Sequence, residues 1–139
     1  MKIEKFEDIP VWKLALKITK LIYDISSTEK FTKDYGLKDQ IRRAVVSISS
    51  NIVEWFEKNN NNEFVRYLKI AKWSCWETRN QTYIALVVWY INQKDFDEIN
   101  SLLLETWKQI WWFIKYLEEL KKTTKLKNIT TKKSAIRNP

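Results

Sequence analysis

The segment Leu37–Lys58, LKDQIRRAVVSISSNIVEWFEK, decides the fold. Ile41, Ala44, Val45, Ile48 and Ile52 recur in it at steps of three and four residues. That spacing gathers side chains on one face of an α-helix and excludes a strand, whose faces alternate every second residue. Outward from this segment the same period returns three times. From about Asp8 to Ser26 it aligns Trp12, Ala15, Ile18 (or Thr19), Ile22 and Ile25, with Lys13, Lys17 and Lys20 on a separate solvated stripe. From about Asn61 to Ile91 it aligns Phe64, Leu68, Ala71, Cys75, Thr78, Thr82 and Ala85. From about Phe96 to Leu120 it aligns Phe96, Ile99, Leu103, Ile110, Phe113, Leu117 and Leu120.

Local signals mark the ends. Asp8 is the expected N-cap of the first helix, and Pro10 falls in the first turn, where its missing N–H costs nothing. The break SSTEKFTKDYG ends at Gly36, the only glycine of the chain. Asn59 to Asn62 form an expected polar turn, and NQKD forms the next. Asn60 with Glu63, and Asp95 with Glu98, read as capping boxes. Connections this short place neighbouring helices antiparallel. The expected fold is therefore all-α, an up-and-down antiparallel four-helix bundle over residues 1–120. A basic tail, 121–139, follows.

The 139 residues suffice for one buried core. No apolar run approaches the roughly 18 residues of a membrane span. The opening MKIEKFEDIPVW carries acids where a secretion signal needs apolar residues. A single cysteine, Cys75, fits a reducing compartment. These features predict a cytoplasmic protein without a membrane partner.

The net charge of +8 is unevenly distributed. Residues 1–120 hold 18 bases against 17 acids. Beyond Glu119 there are no acids but seven bases, Lys121, Lys122, Lys125, Lys127, Lys132, Lys133 and Arg137. A segment so polar has nothing to pack and is expected to be disordered when alone. It reads either as a solubilising tail or as an arm that neutralises phosphates.

Catalytic chemistry is poorly supplied. The chain has no histidine, the commonest general base and metal ligand. Glu54-Trp55-Phe56-Glu57 is not the Glu-x-x-His pair of a di-iron bundle. One cysteine makes neither a zinc site nor a Cys-His pair. One glycine makes no phosphate loop. No enzyme activity, cofactor or metal is expected. A binding surface remains: Arg66, Lys69, Lys72 and Arg79 recur on one side of the third helix, and Lys38, Arg42 and Arg43 stand near the start of the second. Such a set is either an ordinary solvated face or a platform for a nucleic-acid backbone. Tyr67 and Tyr83 are available for base stacking, although tyrosine in a bundle more often packs.

One anomaly is compositional. The chain has eight tryptophans and one glycine, where average usage of about 7% glycine gives roughly ten. FEDIPVWKLALKITKLIYDI, YGLKDQIRRAVVSISSNIVEWFEKNNNNEFVRYLKIAKWSC and KQIWWFIKYL together resemble the four-helix bundle proteins encoded in intervening sequences of 23S ribosomal RNA genes. The resemblance runs from about Phe6 to Leu120. The usual family pattern is FGL-x-x-QIRRA-x-x-SIPSNIAEGF, then EF-x-R-x-L, AKGSC and KQIGGFIKYL. Gln40, Ile41, Arg42, Arg43, Ser47, Ser50, Asn51 and Glu54 match it residue by residue. Ser50, Asn51 and Glu54 are expected to bond across helices or cap an interface.

Departures from the pattern are systematic. Trp55, Trp73, Trp76, Trp89, Trp107, Trp111 and Trp112 stand where the family typically has glycine, and only Trp12 matches a family tryptophan. UGA codons read as glycine by the source lineage, and rendered here as tryptophan, would produce this pattern. The rival is a tryptophan-rich variant. Ser49 replaces a family proline, a milder departure.

The resemblance implies a non-enzymatic bundle with a basic surface that forms a ring, a homopentamer; with the bases of body and tail, the expected function is RNA binding. A relative similar in fold, the accessory variability determinant of diversity-generating retroelements, binds a reverse transcriptase and nucleic acid. It implies the alternative of a protein–protein adaptor for a reverse transcriptase or another ribonucleoprotein partner. A third reading is a selfish-element passenger without a host function.

Overall fold

A computed structural model describes residues 3–58 and 65–137. A single 3-10 turn, Phe6–Asp8, precedes α1 (Pro10–Ile25), α2 (Glu29–Thr32), α3 (Tyr35–Glu57), α4 (Val65–Val87) and α5 (Gln93–Arg137). α2 is one turn long. The four long helices form a closed square in which α1 and α4 each pack against both α3 and α5. Successive long helices run in opposite directions, so this is the up-and-down bundle that the periodicity predicts.

Ile18 and Ile22 of α1, Ile41, Ile48 and Ile52 of α3, Leu68 of α4 and Ile99, Leu103 and Ile110 of α5 are fully buried along the bundle axis. Burying an aliphatic side chain of this size is worth about 1.5–3 kcal/mol. The inner face of α4 is more polar, with Ser74, Thr78, Gln81 and Thr82 buried beside Ala71, Cys75 and Ala85. Thr78 Oγ1 donates to the Ser74 carbonyl at 2.8 Å, and Thr82 Oγ1 to the Thr78 carbonyl at 2.7 Å. Their hydroxyls are thus satisfied inside their own helix. Ser74 instead reaches across, its Oγ 2.9 Å from Ser47 Oγ on α3. Asn51 Nδ2 secures that link by donating to the Ser47 carbonyl at 2.8 Å and to its Oγ at 3.0 Å.

The element ends differ from expectation, each for a local reason. Asp8 closes the 3-10 turn rather than capping α1, whose N-cap is the buried, extended Ile9 ahead of Pro10. Gly36 does not end a loop but lies in the first turn of α3, where an added Cβ would meet only ordinary contacts. α3 is instead capped by Asp34, whose Oδ1 accepts from the Leu37 N–H at 3.1 Å. The break before it carries α2, which buries Phe31 completely. At the start of α5 the cap is Asn92, whose Oδ1 accepts from Asp95 N at 2.8 Å, not the Asp95–Glu98 pair. Leu120 is exposed rather than core, because the described partner helices no longer cover α5 past Glu118. The expected Asn60–Glu63 box, the Asn59–Asn62 turn and Phe64 lie outside the described residues.

α4 stops at Val87, earlier than Ile91, and the stop has a definite form. The N–H of Trp89 bonds to the Leu86 carbonyl at 3.1 Å and that of Tyr90 to the Ala85 carbonyl at 2.8 Å. This is the Schellman arrangement, whose C′ residue adopts the left-handed conformation that glycine tolerates best. Trp89 occupies it, with φ 66° and its side chain 82% exposed. The single glycine therefore sits where any residue fits, and a tryptophan sits where glycine belongs.

Just beyond, Tyr90 closes this end of the bundle. Its hydroxyl donates to Asp34 Oδ2 at 3.0 Å and its ring lies 5.2 Å from Phe31. The hydrogen bond to Asp34, with smaller help from burial and the carboxylate charge, raises the Tyr90 pKa above its usual value near 10. The neutral phenol is favoured in the folded state, so this stabilisation is complete below about pH 10 and fades as pH rises through the higher folded value. Urea unfolding of wild type and Tyr90→Phe should therefore show a stability difference that shrinks above about pH 10. A pH-independent difference would exclude the phenol–carboxylate contact as its source.

Candidate nucleic-acid interface

Four of the seven bases singled out on the body lie on α4. Lys69, Lys72, Trp76, Arg79 and Tyr83 follow one another at three- and four-residue steps, which turns them toward α5. Lys69 Nζ lies 3.6 Å from Glu118 Oε1 of α5, both side chains about 40% exposed. A pair so accessible to water contributes at most about 1 kcal/mol. Two turns on from Lys69, the rings of Trp76 and Trp107 stack with centroids 5.9 Å apart. Arg79 Nε donates to Asn100 Oδ1 at 2.8 Å while its guanidinium lies 5.7 Å from the Tyr83 ring centre. Tyr83 in turn packs on Phe96 at 4.5 Å. Arg66, near the start of α4, is exposed with its guanidinium 5.1 Å from the Tyr67 ring centre. Tyr67 and Tyr83 thus lie beneath arginines rather than as open stacking platforms.

The two arginines of α3 do not join this seam. Arg42 turns toward α1, where its Nε donates to Ser26 Oγ at 2.8 Å and its Nη2 to Ser27 Oγ at 2.9 Å. Its guanidinium lies over the Tyr23 ring at 4.4 Å, and Nη2 reaches the Tyr23 carbonyl at 3.4 Å. A cation at a helix C-terminus complements the exposed carbonyls there, so Arg42 acts as a clamp on the end of α1. Arg43 is exposed on the outer side of α3. Gln40, Ser50 and Glu54 are also exposed, whereas Ser47 and Asn51 form the α3–α4 link already described.

The tail continues the seam. α5 runs unbroken past the bundle to Arg137, and every side chain from Glu119 to Ala135 is exposed. Lys121 and Lys122 leave the bundle three and four residues beyond Glu118, the partner of Lys69. The root of the tail therefore adjoins Lys69, and Arg66 and Lys72 flank that lysine on α4. A segment without tertiary contacts is not held by packing, so its helical form rests on its own backbone bonds.

Sequence reasoning missed Asn100 and Glu118, which occupy the same α4-facing stripe of α5. It also missed Lys115, whose Nζ lies 5.6 Å from the Trp111 ring centre. Burial raises the Cys75 thiol to about 12, so it stays protonated and unreactive. A cavity of about 230 Å³ at the bundle end is walled by apolar groups, including Ile9, Val11, Trp55 and Phe113. Trp55 Nε1 and Trp107 Nε1 are buried without a hydrogen-bond partner among the described residues. Neither a group of three metal-ligating side chains nor a helix long and apolar enough to cross a membrane occurs among the described residues.

Comparison with known proteins converges on one family. The family model described as 23S rRNA-intervening sequence protein matches residues 7–111. A crystal structure from Bacteroides thetaiotaomicron, of a protein of unknown function from the S23 ribosomal protein family, superposes with a TM-score of 0.69 at 26% identity. The match covers 76% of this chain and 98% of that one. Among curated proteins there is no match.

The placement of Arg42 separates charge from geometry. Arg42→Lys keeps the charge but loses the forked contacts to Ser26, Ser27 and the Tyr23 carbonyl. It should lower unfolding stability by about 1–2 kcal/mol and leave affinity for structured RNA within twofold. Loss of RNA affinity without loss of stability would return Arg42 to the binding surface.

Proposed function

As the chain belongs to the 23S rRNA-intervening sequence protein family, we propose that it is a cytoplasmic, non-enzymatic RNA-binding bundle that assembles with copies of itself as a pentameric ring. The observation that carries the RNA reading is a tail of seven bases and no acids whose root, past the Lys69–Glu118 and Lys122–Glu119 pairs, lies beside Lys69 with Arg66 and Lys72 to either side on α4. Lysines presented on flexible stems neutralise phosphates without reading bases, so the affinity is independent of sequence and sensitive to salt. Arg79 and Arg43 extend the basic surface along the body.

A salt titration of binding to structured RNA, with and without residues 121–139, tests this. The full chain should show a steep fall of affinity with salt, and truncation should make that slope shallower by up to about six. No binding by the full chain at low salt would sink the RNA reading. The search would then move to a protein partner, such as a reverse transcriptase held by an adaptor. That second reading draws on the exposed indoles of Trp73, Trp76 and Trp112.

We further infer that the seven tryptophans at family glycine positions are glycines in the organism, from UGA codons read as glycine. Three features support it independently of the family pattern. Trp89 holds a left-handed C′ position, which costs a non-glycine residue about 1–2 kcal/mol. Trp55 and Trp107 bury indole N–H groups that find no acceptor among the described residues, at about 1–3 kcal/mol each. Trp73, Trp76 and Trp112 leave more than half of their surface in water. Trp12, the one tryptophan the family shares, packs edge-on against Phe6 at 5.2 Å. With seven glycines the exposed indoles vanish, and with them the main support for an adaptor. The intact mass of the protein isolated from its source organism decides the matter. Seven tryptophan-to-glycine differences are expected, and the chain made with glycines should melt higher than the one made with tryptophans. A mass matching eight tryptophans would falsify the recoding.

A further inference from the structure

The tail is more than a string of charges, because α5 carries it out of the bundle as one continuous helix. At 100° per residue, Lys121, Lys122, Lys125, Lys132 and Lys133 fall within an arc of about 120°. Lys127 points about 180° away from the centre of that arc. The other side is occupied by hydroxyls that bond back to the helix itself. Thr123 Oγ1 donates to the Glu119 carbonyl at 3.1 Å, Thr130 Oγ1 to Leu126 at 3.0 Å and Thr131 Oγ1 to Lys127 at 3.0 Å. Ser134 Oγ donates to the Thr131 carbonyl at 2.9 Å. Those hydroxyl protons are committed and offer no donors to a ligand. The helix thus has a face of ammonium groups, with the exposed Ile129 among them, and a face of internally bonded hydroxyls.

We propose that the tail binds the RNA phosphate backbone as a helix, through the one face formed by Lys121, Lys122, Lys125, Lys132 and Lys133. Charge complementarity selects the occupant: five ammonium groups without a nearby acid, apart from Glu119 beside Lys122 at 3.4 Å, match a polyanion. From Lys121 to Lys133, about twelve steps of 1.5 Å, the helix presents these charges along roughly 18 Å. A helix fixes their spacing, whereas a flexible arm would average it. The inference rests on the RNA reading above and specifies how its arm engages.

Four full-length chains separate the possibilities: wild type, Lys125→Ala, Lys127→Ala and Thr124→Pro, each titrated with structured RNA across a range of salt. All three substitutions lie beyond the last core residue, Leu117, so unchanged melting confirms an intact bundle. Lys125→Ala should weaken binding severalfold and reduce the salt slope by about one. Lys127→Ala, with the same charge change on the opposite face, should leave both within error. Thr124→Pro preserves every charge but interrupts the helix, and should lose most of the affinity that truncation at residue 120 removes. Equal effects of Lys125→Ala and Lys127→Ala, with none from Thr124→Pro, would overturn the helical arm and leave the RNA reading standing. Truncation without effect on RNA affinity would overturn the arm itself. Tail-dependent binding to anionic lipid vesicles without binding to RNA would overturn the choice of occupant.

Discussion

Isoleucine and leucine side chains from all four long helices meet along one axis, and the placement of everything else follows from that shared apolar column. Ile18, Ile22, Ile41, Ile48, Ile52, Leu68, Ile99, Leu103 and Ile110 exclude water completely. β-branched isoleucines have few rotamers to lose and interdigitate in a single way. Because the column fixes the rotation of each helix, it also fixes which residues face outward. Lys69, Lys72 and Arg79 look toward α5, and Arg42 looks toward α1, because Leu68, Cys75 and Ile41 look inward. Past Glu118, which still pairs with Lys69 of α4, no described helix covers α5, and it leaves the bundle exposed on all sides.

Much of this was legible in the sequence. The i, i+3, i+4 pattern of aliphatic residues identified all four long helices and their buried faces, since the pattern and the column are the same fact seen in one and three dimensions. The ends were harder. Caps depend on whichever nearby side chain reaches a free N–H, and Asn92 reached Asp95 where a capping box was expected. The break before α3 read as a loop because Gly36 suggested one, yet Phe31 supplied enough burial for an extra helical turn. Residues 59–64 remain at the level of sequence.

The basic surface was legible in kind but not in assignment. Adjacent arginines in a helix look alike in sequence, yet Arg42 is held by Ser26, Ser27 and Tyr23 while Arg43 faces water. No periodicity argument distinguishes them, because the difference depends on where the end of α1 lies relative to α3. Similarly, Asn100 and Glu118 become partners of Arg79 and Lys69 only once α4 and α5 are in register. Positive charge thus divides into groups held by partners at helix ends and seams and groups that face water.

The conformation of Trp89 has a consequence outside protein chemistry. A backbone dihedral is imposed by the fold, whereas the letter at that position is assigned by a decoding table. When the two disagree, the fold acts as an error-detecting code for translation. Left-handed helix termini and buried N–H groups without acceptors are positions where a misassigned codon leaves a physical mark. A set of bundles screened for such marks would reveal a lineage's genetic code from conformation, without its transfer RNAs ever being sequenced.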